Sequence, residues 1–165
     1  EGSCFTVTAN VQSRLKVESS THLDEGRDVQ GASVPAGLKV LLAEDNAINA
    51  VVAQALLEQL QCDVEHVDNG LKATARVEEG GIDVVFMDVH MPVMDGIEAT
   101  KRIRKLDGTL GQIPVIGLTA EAFKERHIAF KEAGMDDIVT KPVTIEALQE
   151  SLLKLAIGQE VTDNS

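Results

Sequence analysis

A small set of chemically capable side chains falls at the ends of apolar runs in this chain. Glu44-Asp45 follows Leu38-Lys39-Val40-Leu41-Leu42-Ala43, Asp88 closes Val84-Val85-Phe86-Met87, Thr119 follows Val115-Ile116-Gly117-Leu118, and Lys141 follows Asp137-Ile138-Val139-Thr140. Carboxylates that converge repel one another, and burial raises their pKa values unless a cation neutralises them. A divalent ion is the natural remedy. An all-oxygen set with two or three carboxylates and retained waters suits Mg²⁺ better than zinc, which prefers His and Cys. Mg²⁺ held this way works alongside phosphate oxygens, so the set reads as one for phosphoryl chemistry. Thr119, next to the small Ala120, offers a hydroxyl donor with room for an entering group, and Lys141 offers a long, mobile point charge for carboxylate or phosphoryl oxygen.

These residues meet only if their apolar runs are neighbouring strands. From Leu38 onward, short apolar runs alternate with helical periods. Strands are expected over Leu38–Ala43, Asp63–Val67, Ile82–Met87, Ile113–Leu118 and Asp137–Thr140. Helices are expected between them, the last carrying the stripe Ile145, Leu148, Leu152 and Leu155. In the first helix, Ile48, Val51, Val52, Ala55, Leu56 and Leu60 recur at spacings of three and four and are expected to be its buried face. Gly134 is expected to cap the fourth helix. The continuous run Ile82–Met87 implies burial on both sides of a parallel sheet. Five βα units with right-handed crossovers place helices on both faces, and the economical solution is an α/β, flavodoxin-like (βα)5 doubly wound sheet in strand order 2-1-3-4-5. In that order the first and third strands are neighbours and the chain winds away from them in opposite directions, opening a crevice at their carboxyl ends. Glu44, Asp45 and Asp88 would line that crevice.

Composition restricts the function classes. The 165 residues, 44% hydrophobic, suit one domain with tails and a real core. Fifteen basic against 27 acidic residues leave a net charge of −12, which disfavours nucleic acid and anionic membrane surfaces as partners. The only cysteines, Cys4 and Cys62, are far apart and lack ligand-type neighbours, so neither a disulfide framework nor a zinc site is indicated, and a reducing cytoplasm fits. No apolar run reaches the roughly 20 residues that span a bilayer, although the parent chain could still be membrane-anchored. Residues 1–11 alternate like a strand at Phe5, Val7, Ala9 and Val11. Residues 12–37 are polar and read as a flexible linker, 38–157 as the domain, and 158–165 as a disordered tail.

With those residues in view, the sequence resembles the receiver domain of two-component response regulators. Glu44-Asp45, Asp88, Thr119-Ala120 and Lys141-Pro142 match the family's signature in order, as does the turn Met91-Pro92 and Met94-Asp95-Gly96. The resemblance implies that Asp88 accepts a phosphoryl group from a phosphohistidine donor, either a kinase or a histidine phosphotransfer domain. It implies that Glu44 and Asp45 hold Mg²⁺ (or Mn²⁺ in its place) together with Asp88 and the main-chain carbonyl of His90. Thr119 would bond the phosphoryl group and Lys141 would neutralise it. The same resemblance leads us to expect a cis Lys141-Pro142 peptide. One departure is Ile138, which stands where the family usually carries an aromatic residue that moves with the threonine, so output by aromatic switching is not expected. Glu1 to Val7 resembles the last glycine turn and strand of a histidine-kinase ATPase domain, which would make the chain the tail of a hybrid histidine kinase.

Simpler roles compete for some of these residues. Asp45 could cap the first helix and Thr119 the fourth. His90 reads as an exposed rim residue and His22 as linker. Phe123 and Phe130 read as core, and Cys62 as a small buried hydrophobe. Two other function classes stand beside the phosphoacceptor. One is a degenerate receiver acting as a scaffold or dimerisation module. The other is an aspartyl-phosphate phosphatase, which would need a second acid close behind the nucleophile where His90 stands. Oligomeric state is open.

Overall fold

In a computed structural model, the structure describes residues 34–121 and 124–162. The strands are β1 (Lys39–Ala43), β2 (Asp63–Val67), β3 (Val84–Asp88), β4 (Val115–Thr119) and β5 (Asp137–Thr140). The helices are α1 (Ala47–Gln59), α2 (Gly70–Glu78), α3 (Gly96–Arg104), α4 (Lys124–Ala133) and α5 (Ile145–Thr162), with a 3₁₀ turn at Gly108–Gln112. All strand pairs are parallel and the sheet order is β2-β1-β3-β4-β5, the doubly wound arrangement expected from the alternation of apolar runs and helical periods.

Strand alternation divides the core between the two faces of the sheet. Val40, Leu42, Val84, Phe86, Ile116 and Leu118 pack with Ala53 and Leu57 of α1 and Leu148 and Leu152 of α5. Leu41, Ala43, Val85, Met87 and Val115 point the other way, onto Ala73 and Val77 of α2, Ala99 and Ile103 of α3 and Phe130 of α4. Interior strands β3 and β4 are buried along their whole length, which explains why they read as unbroken apolar runs, whereas edge strand β2 is mostly exposed. Asn46, Asn69 and Asp95 cap α1, α2 and α3 by accepting hydrogen bonds from first-turn amides. Gly134, at φ +116°, ends α4 as expected, with the Met135 amide reaching back to the Phe130 carbonyl at 3.2 Å. Cys62 is buried, and burial pushes its thiol up. No described helix is long and apolar enough to cross a membrane.

The structure corrects three expectations. Helix α1 buries Ala50, Ala53 and Leu57, while Ile48, Val51 and Val52 are 76%, 66% and 46% exposed; Ala55 is exposed too, and Leu56 and Leu60 are only partly covered. The helix is apolar around much of its circumference, and the small side chains of Ala50 and Ala53 let that face lie closest to the sheet. The linker expected over 12–37 is already tied to the domain at Val34, which packs on the α1/α5 core, and at Gly37, whose amide donates to the Gln61 carbonyl at 2.7 Å. The expectations for residues 1–11, the remainder of the linker, His22 and Phe123 lie outside the described residues. Helix α5 continues to Thr162, past the boundary expected at 157, since one glycine at 158 costs a helix only about 1 kcal/mol and good helix formers follow it.

Candidate functional site

Parallel register brings the site together. Ala43 pairs with Met87 across β1 and β3, so Glu44, one residue further on, is level with Asp88; Asp88 in turn pairs with Leu118, one residue before Thr119. Thr119 pairs with Thr140, which places Lys141 just beyond the end of β5. The five side chains singled out in the sequence therefore sit at one end of four adjacent strands.

Their contacts form a buried charge cluster. Glu44, Asp45 and Asp88 each offer a carboxylate oxygen within 4.8 Å of the others', with Glu44 and Asp88 buried and Asp45 exposed. The Lys141 ammonium lies 2.8 Å from Glu44 Oε2 and 3.1 Å from Asp88 Oδ2. Burial and then the hydrogen-bonded, charged Glu44 carboxylate push Asp88 up to about 6, partly offset by Lys141. Glu44 is also penalised by burial, but hydrogen bonds with Lys141, Asp88 and the Asn46 amide outweigh that and hold it below the usual glutamate range. Burial likewise works against the Lys141 charge, but its two carboxylate partners raise its pKa on balance. The Lys141-Pro142 peptide is cis, as expected.

The surrounding loops present these groups. Asn46 accepts from the Ile48 and Asn49 amides at 3.0 and 3.1 Å, so capping falls to Asn46 and leaves Asp45 facing the cluster. The His90 amide donates to Asp88 Oδ1 at 3.1 Å, which orients the carboxylate. Gly96 closes tightly under the same loop: its amide donates to the Val89 carbonyl, and a Cβ there would meet the Asp88 carbonyl oxygen at 2.2 Å. Thr119 is fully buried; its hydroxyl accepts from the Glu121 amide at 3.0 Å and does not cap α4, which starts at Lys124.

Two features were not foreseen. The His90 side chain is exposed, as a rim residue should be, but its Nε2 lies 3.1 Å from Glu121 Oε1, and the other Glu121 oxygen accepts from Arg126 Nε at 2.6 Å. This chain of side-chain contacts straps the loop after β3 to α4. The His66 ring nitrogen, on β2, lies 2.8 Å from the Glu44 carbonyl oxygen and steadies the acid from the sheet's edge. Neither follows a recognisable spacing, because each pair is distant in sequence and joins an exposed side chain to a loop.

The donor set is all oxygen, compact and anionic, and its two buried carboxylates are only partly balanced by one lysine, so the residues present fit a hard divalent cation. Comparison with known proteins agrees with this chemistry. Residues 40–153 match the response regulator receiver domain family. The chain is 34% identical over 154 residues to the autoinducer 2 sensor kinase/phosphatase LuxQ of Vibrio parahaemolyticus, an alignment covering 93% of this chain and 18% of that protein. It is 36% identical to the receiver domain of a sensor histidine kinase from Pseudomonas aeruginosa PAO1, solved with a magnesium ion coordinated in its active-site cleft, with a TM-score of 0.67 over 72% of this chain and 97% of that one. It is 28% identical, with a TM-score of 0.69 over 75% of this chain and 92% of the other, to a match in the co-crystal of the Saccharomyces cerevisiae histidine phosphotransfer protein Ypd1 with the receiver domain of Ssk1. The chain spans between 7% and 18% of the length of the curated relatives it matches, which are histidine kinases and sensor proteins. With the fold, the acidic cleft and the family match in agreement, this chain belongs to the response regulator receiver domain family of two-component signalling.

Proposed function

We propose that the domain accepts a phosphoryl group from a phosphohistidine protein onto Asp88 and relays it to a partner domain. The observation that carries this reading is the setting of Asp88: buried, yet within reach of Glu44, Asp45 and Lys141 at the open end of the sheet. An Asp88 oxygen attacks phosphorus, the P–N bond to the donor imidazole breaks, and its electron pair returns to the ring nitrogen, leaving an acyl phosphate on Asp88. Lys141 moves its charge from the carboxylates toward the phosphoryl oxygens. Thr119 turns its hydroxyl from the Glu121 amide to donate to one of them, and the His90 amide keeps the carboxylate aimed. Glu44, Asp45, Asp88 and the His90 carbonyl would hold Mg²⁺, or Mn²⁺ in its place, which when bound supplies charge neutralisation for the transferring group.

The surface around the acceptor supports a protein donor. Among the described residues, the large exposed apolar side chains are Ile48, Val51, Val52, Leu71, Val93 and Ile128, and all but Ile128 lie in the loop or the first two turns of helix that follow the carboxyl ends of β1, β2 and β3. An apolar rim around a charged acceptor fits a helical partner that brings its phosphohistidine to the cleft. Similarity to sensor kinases many times longer than this chain supports a parent hybrid histidine kinase.

Incubation with acetyl phosphate and Mg²⁺, followed by intact-mass analysis, tests the reading. One phosphoryl adduct that disappears when a chelator replaces the metal is expected. No adduct, or labelling indifferent to the metal, contradicts it.

A further inference from the structure

The segment that joins β1 to α1 carries two of the three acids of the cleft, and they are held unequally. Glu44 has a partner for every polar atom. Its amide donates to the Val67 carbonyl at 3.0 Å, Oε1 accepts from the Asn46 amide at 3.0 Å, Oε2 meets the Lys141 ammonium at 2.8 Å, and its carbonyl accepts from His66 Nε2 at 2.8 Å. The Asp45 carboxylate is exposed, and no amide or cation among the described residues bonds it. Its place is set through the backbone.

A planar peptide ties the Glu44 carbonyl to the Asp45 amide and Cα. Whatever fixes the direction of that carbonyl therefore fixes the direction in which Asp45 leaves the strand. The parallel ladder stops one bond short of doing so. Ala43 pairs with Val67 and the Glu44 amide still donates to Val67, so the next bond would run from the Asn69 amide to the Glu44 carbonyl, but Asn69 is already the cap of α2. His66 supplies the missing bond from its side chain. It pairs with Leu42, two residues before Glu44 and on the same face of the sheet, and its ring reaches forward to the carbonyl. A carbonyl only accepts, so His66 Nε2 carries the hydrogen, in the neutral ring as in the charged one.

We propose that His66 is a positioning residue for the divalent-cation site: its Nε2–H fixes the Glu44-Asp45 peptide plane and so holds Asp45, the acid without a side-chain bond of its own, beside Glu44 and Asp88. The proposal rests on the metal and phosphoacceptor reading above. Groups that orient metal ligands in this way are worth about 10- to 100-fold in affinity. A water that takes the place of the ring satisfies the carbonyl without fixing it, so the fold keeps its stability while the acid pair loses its direction.

Two variants separate this role from a structural one. His66→Phe keeps a flat ring on the edge strand and removes the donor, whereas His66→Gln removes the ring and keeps an N–H at similar reach. The full chain is titrated with Mg²⁺ by calorimetry without any phosphodonor, unfolded by urea in chelator, and labelled by acetyl phosphate over a range of Mg²⁺ concentrations. For His66→Phe we expect a Kd for Mg²⁺ about tenfold higher, an unchanged urea midpoint, and labelling that needs about tenfold more Mg²⁺ to reach an unchanged maximal rate. His66→Gln should have an Mg²⁺ affinity within about twofold of wild type. Wild-type Mg²⁺ affinity in His66→Phe, or a loss in His66→Gln as large as that in His66→Phe, overturns the proposal, as does a loss of affinity that comes with a lowered urea midpoint. A wild type that binds no Mg²⁺ overturns it along with the metal site itself. If the Mg²⁺ affinities differ as expected but wild type gains no phosphoryl group, the proposal stands and the phosphoacceptor reading fails.

Discussion

The Lys141 ammonium stands 3.1 Å from Asp88 Oδ2, in a cleft where that carboxylate is almost wholly buried and already shares its surroundings with Glu44. Removing the cation leaves two buried carboxylates facing each other. For Lys141→Met at neutral pH without metal, we expect a loss of about 3 kcal/mol of stability, in the range seen when one partner of a buried pair is deleted, and partial recovery on adding Mg²⁺. Urea unfolding with and without the ion measures both. A variant as stable as wild type in the absence of metal would show that Lys141 does not balance the cluster.

Asp88 also predicts an unusual pH dependence. Its folded pKa of about 6 exceeds the ordinary 3.8, so between those values the folded chain binds more protons than the unfolded chain, and stability falls as pH rises through the window. Glu44 has the opposite sign, but its contribution is confined to pH below the usual glutamate range because its folded pKa is lowered. Asp88→Asn should therefore abolish a loss of stability between about pH 4 and 6 in chelator, and at pH 7 should be more stable than wild type by on the order of 2 kcal/mol. Parallel stability curves for the two proteins would contradict this.

Gly96→Ala should be severely destabilising despite lying at a helix start, where alanine is normally welcome. Its Cβ would fall 2.2 Å from the Asp88 carbonyl oxygen and 2.9 Å from Met87 Cγ, and the obstructing backbone belongs to Asp88 itself. We expect a loss of about 2 kcal/mol or more, with impaired phosphorylation, by chemical denaturation and intact-mass analysis. An unchanged unfolding midpoint would show that the loop after β3 is not as tightly closed as described.

Much of this was legible in the sequence because the site is built from strand ends. Once Leu41, Val85 and Ile116 are assigned to buried parallel strands, register alone carries Glu44, Asp88, Thr119 and Lys141 to a common edge. The buried face of α1 was not legible in the same way. Its apolar residues cover several faces, and choosing Ala50, Ala53 and Leu57 over Ile48, Val51 and Val52 depends on how closely the helix approaches the sheet, which periodicity does not report. The strap from His90 through Glu121 to Arg126 and the contact of His66 with Glu44 escaped for another reason. They join surface loops and an edge strand through side chains that look ordinary one at a time.

Ile138 bears on output. It is half-buried on the face of the sheet shared with α2, α3 and α4, and its Cδ1 lies 3.1 Å from where a Cβ on Gly117 would be. Packed there, and without a hydroxyl, it has little reach between two positions, so phosphorylation should couple weakly to the distal face. Backbone amide shifts with beryllofluoride and Mg²⁺ should be large near 45, 88–96 and 119–123. Equally large shifts along 124–133 and 144–155, or dimerisation driven through that face, would show that a domain without the aromatic residue still switches.

Asp88 as the acceptor is the claim on which the rest depends, and the direct test is to locate the phosphoryl group. Wild type and Asp88→Asn are treated with acetyl phosphate and Mg²⁺, then compared by intact mass and by peptide mapping under conditions that preserve acyl phosphates. The account predicts one adduct in wild type, on the peptide containing Asp88, and none in a folded Asp88→Asn variant. An adduct on another residue, or one that survives the Asp88→Asn substitution, would contradict it.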